Sequence, residues 1–158
     1  MRRVAGDQTL HRRLRHHRLV TRRRVDELGD LLELPFCAVL STFHDDGSVM
    51  LSPVWHEWRD GGFNIGVPVG DRKLRQLDDD PRATVVVFDH GAPGRGFEVR
   101  GRARISVDVD NEVSRRLSVR YLGESAAETY VARLPAMMLV RVEGTQRGWD
   151  FRDVNVKG

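Results

Sequence analysis

Cysteine is almost absent from this chain of 158 residues, and it has no long apolar run. The one cysteine, Cys37, excludes an intramolecular disulfide and is typical of a protein kept in a reducing compartment. Its place in the apolar run Leu34–Leu40 predicts a buried side chain. No stretch approaches the roughly 18 apolar residues of a membrane-spanning helix. We therefore expect a cytoplasmic protein that makes no contact with a membrane.

Several catalytic signatures are missing as well. The sequence contains no Gly-x-Ser-x-Gly nucleophile motif, no phosphate-binding Walker loop and no Gly-x-Gly-x-x-Gly fingerprint. These absences argue against α/β-hydrolases, P-loop nucleotidases and dinucleotide-binding folds. No His or Cys residues have the spacing of a metal site, so no metal is predicted.

Positive charge is concentrated at one end of the chain. Residues 1–24 hold nine arginines and a single acid, Asp7, which gives this segment a charge of +8. Since the whole chain carries +3, residues 25–158 carry −5. We predict a disordered leader over 1–24 and one globular domain over 25–158. The acidic domain has no basic motif to accompany the leader, so we do not expect nucleic acid as a partner.

The hydrophobic pattern predicts a mainly β domain with short helices between the strands. Asp-Gly pairs at 46–47 and 60–61 mark tight hairpin turns, which join strands in antiparallel order. Six such strands are expected to close into a small barrel, because closure removes exposed sheet edges. The predicted long strands are 36–43, 49–59, 63–69, 83–88, 97–105 and 136–143, with a short closing strand near 147–151. The predicted helices are 25–34, 73–79, 110–121 and 125–134.

A basic turn follows the third predicted strand. Arg72, Lys73 and Arg75 crowd the start of a short helix in the segment Gly70–Leu77. A helix start offers free backbone N–H groups and the positive end of a helix dipole, and arginine and lysine add charge for the same anion. The turn is therefore a candidate phosphate site, with a solvated basic helix start as the alternative.

Five short motifs occur in a fixed order along the chain. They are Ser52-Pro53-Val54-Trp55, Asp71–Leu77, Asp80-Pro81-Arg82-Ala83, Glu98–Ala103 and Arg120-Tyr121-Leu122-Gly123. Together they resemble the flavin/deazaflavin split-barrel superfamily, which includes pyridoxamine 5′-phosphate oxidase. Within that superfamily the chain looks most similar to the coenzyme F420-dependent oxidoreductases of actinobacteria.

The resemblance implies a homodimer of six-stranded antiparallel split barrels with cofactor sites at the interface. It places the cofactor ring against the second strand and the phosphate on the basic turn. The residues implied to bind the cofactor are Ser52, Pro53, Val54, Trp55, Val67, Arg72, Lys73 and Gln76.

The implied activity is hydride transfer between coenzyme F420 and a planar unsaturated small molecule. Two alternatives remain at this point: an FMN-binding oxidoreductase closer to pyridoxamine 5′-phosphate oxidase, and a non-catalytic protein that binds flavin, F420 or haem. Because imidazole titrates in the useful range, His56 is a candidate proton donor, and its alternative is a surface position on a strand.

Overall fold

The strands form one sheet in which every pair of neighbours is antiparallel. This computed structural model describes residues 22–91 and 94–153. The strands are β1 (Arg22–Arg23), β2 (Ala38–Phe43), β3 (Val49–Val54), β4 (Glu57–Arg59), β5 (Gly62–Pro68), β6 (Arg82–Phe88), β7 (Arg95–Val107) and β8 (Met137–Asp150). The α-helices are α1 (Arg72–Asp79), α2 (Glu112–Leu122) and α3 (Glu124–Val131). The predicted mainly β architecture with short helices is confirmed.

The strand count and the closure of the sheet differ from the prediction. The hydrogen-bonded order is β3-β2-β6-β7-β8-β5-β4, with β1 added on β8. Six longer strands correspond to the expected six, and the short β1 and β4 raise the count to eight. β3 and β4 lie at opposite ends of the order, so hydrogen bonds between described residues do not close the sheet into a barrel.

The sheet is split at the corner between β3 and β4. The sequence pattern predicted one strand over 49–59, but Trp55 and His56 interrupt it. Because β3 and β4 are the two ends of the sheet order, these two residues carry the chain from one end of the sheet to the other. The ends are thus joined covalently at the corner, and a gap is left beside it.

The last strand is continuous where a break was predicted. β8 runs without interruption through Gly144, which pairs with Gly101 on β7. A Cβ at Gly101 would overlap the carbonyl oxygen of Glu143, so the close approach of the two backbones requires glycine. The expected strands 136–143 and 147–151 are therefore one strand.

The hydrophobic core lies on the inner face of this sheet. Its fully buried side chains include Phe63 on β5, Phe97 on β7 and Leu40 on β2. The predicted first helix is only a 3-10 turn, Val25–Leu28, because Gly29 adopts a φ of +61° and ends it. Its apolar face is nevertheless buried, since Leu28, Leu31 and Leu32 all join the core.

Most of the predicted leader, residues 1–21, lies outside the described residues. The described remainder of that segment includes β1, whose Arg22 and Arg23 pair with Trp149 and Gly148 on β8. Among the residues that the structure describes, no helix has the length and apolar character needed to span a bilayer.

Candidate functional site

A cavity of about 440 Å³ occupies the gap in the split sheet. β3 supplies one wall and β5 the opposite one, and residues from α2 and α3 complete the enclosure. The side chains and backbone that line it are Cys37, Pro53, Val54, Trp55, Gly66, Val67, Pro68, Lys73, Ser114, Leu117, Ser118, Tyr130, Leu134 and Met137. Its volume lies in the range of pockets that hold small ligands.

The aromatic wall of the cavity is built around Trp55. The Trp55 ring stacks on Tyr121 with the ring centroids 5.0 Å apart and the planes 5° from parallel. Tyr130 of α3 approaches the same indole at 5.5 Å with a tilt of 47°. Since Trp55 and Tyr130 both line the cavity, a flat ring entering it meets an aromatic surface held from behind by Tyr121.

The hydroxyl of Tyr121 fixes the corner that carries Trp55. It donates to the carbonyl oxygen of Phe36 at 2.8 Å and accepts the backbone N–H of His56 at 3.2 Å. The neighbouring Arg120 donates to the carbonyl oxygens of Leu32 and Leu34, both at 2.6 Å. The C-terminal turn of α2 thus binds both the β3–β4 corner and the segment before β2.

His56 does not occupy the position expected of a proton donor. Its side chain is fully buried, does not line the cavity and contacts the carbonyl oxygen of Phe36 through Nε2 at 3.0 Å. Burial, helped by the charge of Arg120, lowers the pKa of His56 to about 4. At neutral pH the imidazole is therefore uncharged and donates Nε2–H to Phe36, which is a structural role.

The basic turn delivers one of its cations to the cavity. Lys73 lines it, and the Lys73 ammonium lies 3.0 Å from a carboxylate oxygen of Asp71. Asp71 also caps α1 by accepting the backbone N–H of Lys73 at 2.9 Å. The predicted free N–H groups at this helix start are thus partly satisfied by the protein. Arg72 is exposed and lines a separate surface depression with Gly70 and Arg75.

Gln76 is held away from the cavity in a buried hydrogen-bond network. Its side-chain oxygen accepts from the hydroxyl of Thr42 at 2.7 Å, and its Nε2 lies 3.0 Å from Nδ1 of His44. Ser52, also predicted to bind a cofactor, is half-buried on β3 but does not line the cavity. The structure therefore brings together Pro53, Val54, Trp55, Val67 and Lys73 of the predicted set, and leaves Ser52, Arg72, Gln76 and His56 outside it.

The prediction of a buried Cys37 is wrong. The thiol is free and exposed, and it lies on the cavity wall because the chain enters β2 at the following residue. Sequence reasoning also missed Ser114 and Ser118 on α2. Their i, i+4 spacing was the available signal, since each serine directly follows an apolar residue of the predicted helix face, Val113 or Leu117.

The wall formed by β3 offers backbone groups as well as side chains. β3 pairs with β2 only and is the terminal strand of the order, so one row of its N–H and C=O groups has no ladder partner among the described residues. Pro53 removes one donor from this strand, which suits an edge position. In the same described part of the chain, no cluster of three His, Cys, Asp or Glu side chains could hold a metal ion.

Comparison with known families gives a match over most of the chain. Residues 25–146 match the family described as pyridoxamine 5′-phosphate oxidase. This range contains β2 to β7, all three helices, most of β8 and every residue that lines the cavity. A comparison with curated proteins finds no match.

Solved structures share the fold at low sequence identity. A conserved hypothetical protein of Mycobacterium tuberculosis superposes with a TM-score of 0.72 at 22% identity, over 90% of this chain and 93% of that one. A structure described as an F420 reductase superposes with a TM-score of 0.60 at 22% identity, over 74% of this chain and 93% of that one. A FAD-binding protein of Mesorhizobium loti superposes with a TM-score of 0.61 at 17% identity, over 83% of this chain and 96% of that one. At such identities the similarity establishes the fold.

Proposed function

This chain belongs to the pyridoxamine 5′-phosphate oxidase family, and we propose that it is an oxidoreductase that uses coenzyme F420. In this proposal a hydride passes between the deazaflavin ring and a planar unsaturated small molecule. The observation that carries the proposal is the cavity in the split of the sheet, which combines an aromatic wall at Trp55 with one ammonium group at Lys73.

The residues present fit a flat ring with an anionic side arm. The cavity is bounded by the Trp55 indole and by apolar groups such as Val67 and Leu117, which suit the faces of a ring. The unpaired backbone row of β3 offers donors and acceptors to the ring edge. Lys73 supplies a point charge for a phosphate, and Asp71 keeps that ammonium in place at the start of α1.

A bound flavin or deazaflavin supplies the hydride chemistry itself, and the protein contributes binding, orientation and electrostatics. Trp55, fixed by Tyr121 and Tyr130, orients the ring and excludes water from one face. Reduction of a C=C bond also needs a proton. The titratable side chains on the cavity wall with a proton not directed at another described residue include the Cys37 thiol, the Lys73 ammonium and the Tyr130 phenol.

Two other functions use the same cavity. An FMN-dependent oxidoreductase related to pyridoxamine 5′-phosphate oxidase would place the flavin phosphate at Lys73. A carrier of flavin, F420 or haem would bind its ligand without turnover. The family match favours a redox enzyme over a carrier, and the resemblance of the sequence motifs to the F420-dependent oxidoreductases favours the deazaflavin. The single exposed thiol is compatible with a reducing cytoplasm, where we place the protein.

We further propose that the protein is a homodimer in which a second copy packs against the exposed side chains of β3. Val49, Leu51 and Pro53 alternate along this edge strand and are all exposed, with Leu51 at 66%. A row of apolar side chains on a terminal strand suits contact with a second copy, which would also cover the open side of the cavity. Leu51→Asp should convert a dimer to a monomer in sedimentation equilibrium, and a monomeric wild type would contradict this proposal.

One set of binding titrations tests the function. F420, FMN, riboflavin and haem are titrated separately into wild type, Lys73→Ala and the matched control Arg72→Ala. We expect F420 to bind most tightly, and Lys73→Ala to weaken it by tenfold or more, since a charged hydrogen bond contributes about 1.5–3 kcal/mol. Arg72→Ala should have the smaller effect because its side chain lies outside the cavity.

Turnover separates the enzyme from the carrier. Wild type loaded with reduced F420 is mixed with a cyclic enone, and reoxidation is followed by the return of F420 absorbance. Reoxidation that depends on the enone supports the proposal. Tight binding without enone reduction would favour the carrier, and a yellow protein with the spectrum of FMN would favour the flavin enzyme. Failure of every ring ligand to bind would overturn all three functions.

A further inference from the structure

The hydroxyls of the two serines on the cavity wall already donate hydrogen bonds to other groups of the protein. The Ser114 hydroxyl lies 2.7 Å from a carboxylate oxygen of Asp108, and the Ser118 hydroxyl lies 2.7 Å from the carbonyl oxygen of Ser114. A carboxylate and a carbonyl only accept hydrogen bonds, so both hydroxyls must be the donors. Each serine therefore has only oxygen lone pairs left for a ligand.

Asp108 fixes the direction of the Ser114 hydrogen bond. It is 5% exposed, and it also accepts the backbone N–H groups of Val113 at 2.9 Å and Ser114 at 2.8 Å. These bonds hold the first turn of α2, so the carboxylate cannot turn away without exposing two helix donors. The Ser114 hydroxyl is thus kept pointing to Asp108 by the same contacts that begin the helix.

The cavity consequently has an acceptor side and a donor side. Lys73 has three protons, of which one is directed at Asp71, so it presents donors only. On the same lining, Ser114 retains 3% of its surface and Ser118 none, so Ser114 is the more accessible of the two serines. Gly66 on β5 makes room for the Ser114 side chain, since a Cβ at Gly66 would lie only 3.0 Å from the Ser114 oxygen.

We propose that Ser114 is a specificity-determining residue that accepts a hydrogen bond from an N–H or O–H group on the ring bound in the cavity. This inference rests on the proposed function and refines it. It selects planar heterocycles that carry a donor on the edge facing α2 and an anionic or acceptor group on the side facing Lys73. The imide N3–H shared by flavins and deazaflavins is a donor of this kind. Ser118 supports the site by ordering the helix turn below Ser114.

Matched ligands test the hydrogen bond directly. Riboflavin and N3-methylriboflavin, and the 8-hydroxy-5-deazaflavin nucleoside and its N3-methyl derivative, are titrated into wild type and variants. In wild type we expect the N3–H form of each pair to bind about tenfold more tightly, because the methylated form leaves the serine acceptor unpaired. In Ser114→Ala the preference should fall to about one. Ser125→Ala, an exposed serine outside the cavity, should keep the wild-type preference.

Ser114→Cys separates hydrogen bonding from steric exclusion. The thiol is at least as large as the hydroxyl but is a poor acceptor, so a steric effect would persist while a hydrogen-bond effect would be lost. We expect the preference to fall in this variant too, and thermal unfolding of each variant establishes that it is folded. A preference unchanged in Ser114→Cys and Ser114→Ala, or equal binding of both forms to wild type, would overturn the inference. Absence of binding by every ring would instead refute the proposed function.

Discussion

The indole of Trp55 and the phenol ring of Tyr121 stack face to face, with centroids 5.0 Å apart and planes 5° from parallel. Trp55 lines the cavity, and Tyr121 lies behind it in the last turn of α2. Because the Tyr121 hydroxyl also bonds to the backbone at Phe36 and His56, one side chain connects helix, strand corner and cavity wall. The orientation of the aromatic wall thus depends on a residue outside the cavity.

Tyr121→Phe should destabilise the protein and loosen this wall. The variant keeps the stacked ring but leaves the backbone N–H of His56 without its acceptor, which costs about 1–3 kcal/mol. Tyr121→Leu should lose about a further 0.5–1.5 kcal/mol with the ring contact. Urea unfolding measures both values, and Tyr130→Phe, whose ring contact survives, serves as the control. Equal stability of wild type and Tyr121→Phe would show that the hydroxyl bonds contribute nothing.

Two substitutions at the basic turn should change the contribution of the phosphate to flavin binding in opposite directions. Asp71→Asn retains a side-chain acceptor for the α1 cap but removes the negative charge 3.0 Å from the Lys73 ammonium. The preference for FMN over riboflavin, which isolates the phosphate contribution, should therefore rise several-fold. In Lys73→Ala the same ratio should fall towards one. A ratio that does not change in either variant would place the phosphate elsewhere.

The sequence was sufficient to predict most of the elements and part of the site. Hairpin turns, alternating strands and the capped α1 follow from local patterns, so the antiparallel architecture and the position of Lys73 could be predicted. The split of the sheet could not, because nothing local distinguishes Trp55-His56 from the middle of a strand. The exposure of Cys37 could not be predicted for a related reason, because it depends on which elements meet at the gap. The contacts of Gln76 with Thr42 and His44 join residues more than 30 positions apart, so they too are a property of the tertiary fold.

Close packing of β7 on β8 should make Gly101 intolerant of any side chain. A Cβ there would overlap the Glu143 carbonyl, and neither backbone can move without breaking the longest ladder in the sheet. Gly101→Ala should cost more than about 3 kcal/mol or prevent folding, which is the upper range for single substitutions. Gly91→Ala is the matched control, because among the described residues its Cβ would approach only an Asp89 carboxylate oxygen, at 3.8 Å. A Gly101→Ala protein as stable as the control would disprove the close approach.

Burial of His56 should make the stability of the protein depend on pH. The unfolded imidazole takes up a proton near pH 6.5, whereas in the folded state burial and the charge of Arg120 lower its pKa to about 4, with the hydrogen bond to Phe36 and the charge of Glu57 acting in the opposite direction. Unfolding therefore takes up a proton between these values. The contribution of the neutral His56 imidazole to the free energy of unfolding is complete above about pH 6.5 and is lost as the pH falls towards about 4. It amounts to on the order of 3 kcal/mol in total.

Comparison with His56→Gln isolates this contribution from that of the carboxylates. Urea unfolding at about pH 7.5 and about pH 4.5 should show a wild-type advantage over His56→Gln that shrinks by a few kcal/mol in acid, because only the wild type must protonate an imidazole on unfolding. Parallel curves for wild type and His56→Gln would mean that His56 has the same proton affinity folded and unfolded. The neutral, Phe36-bonded imidazole at the corner of the split sheet would then be excluded.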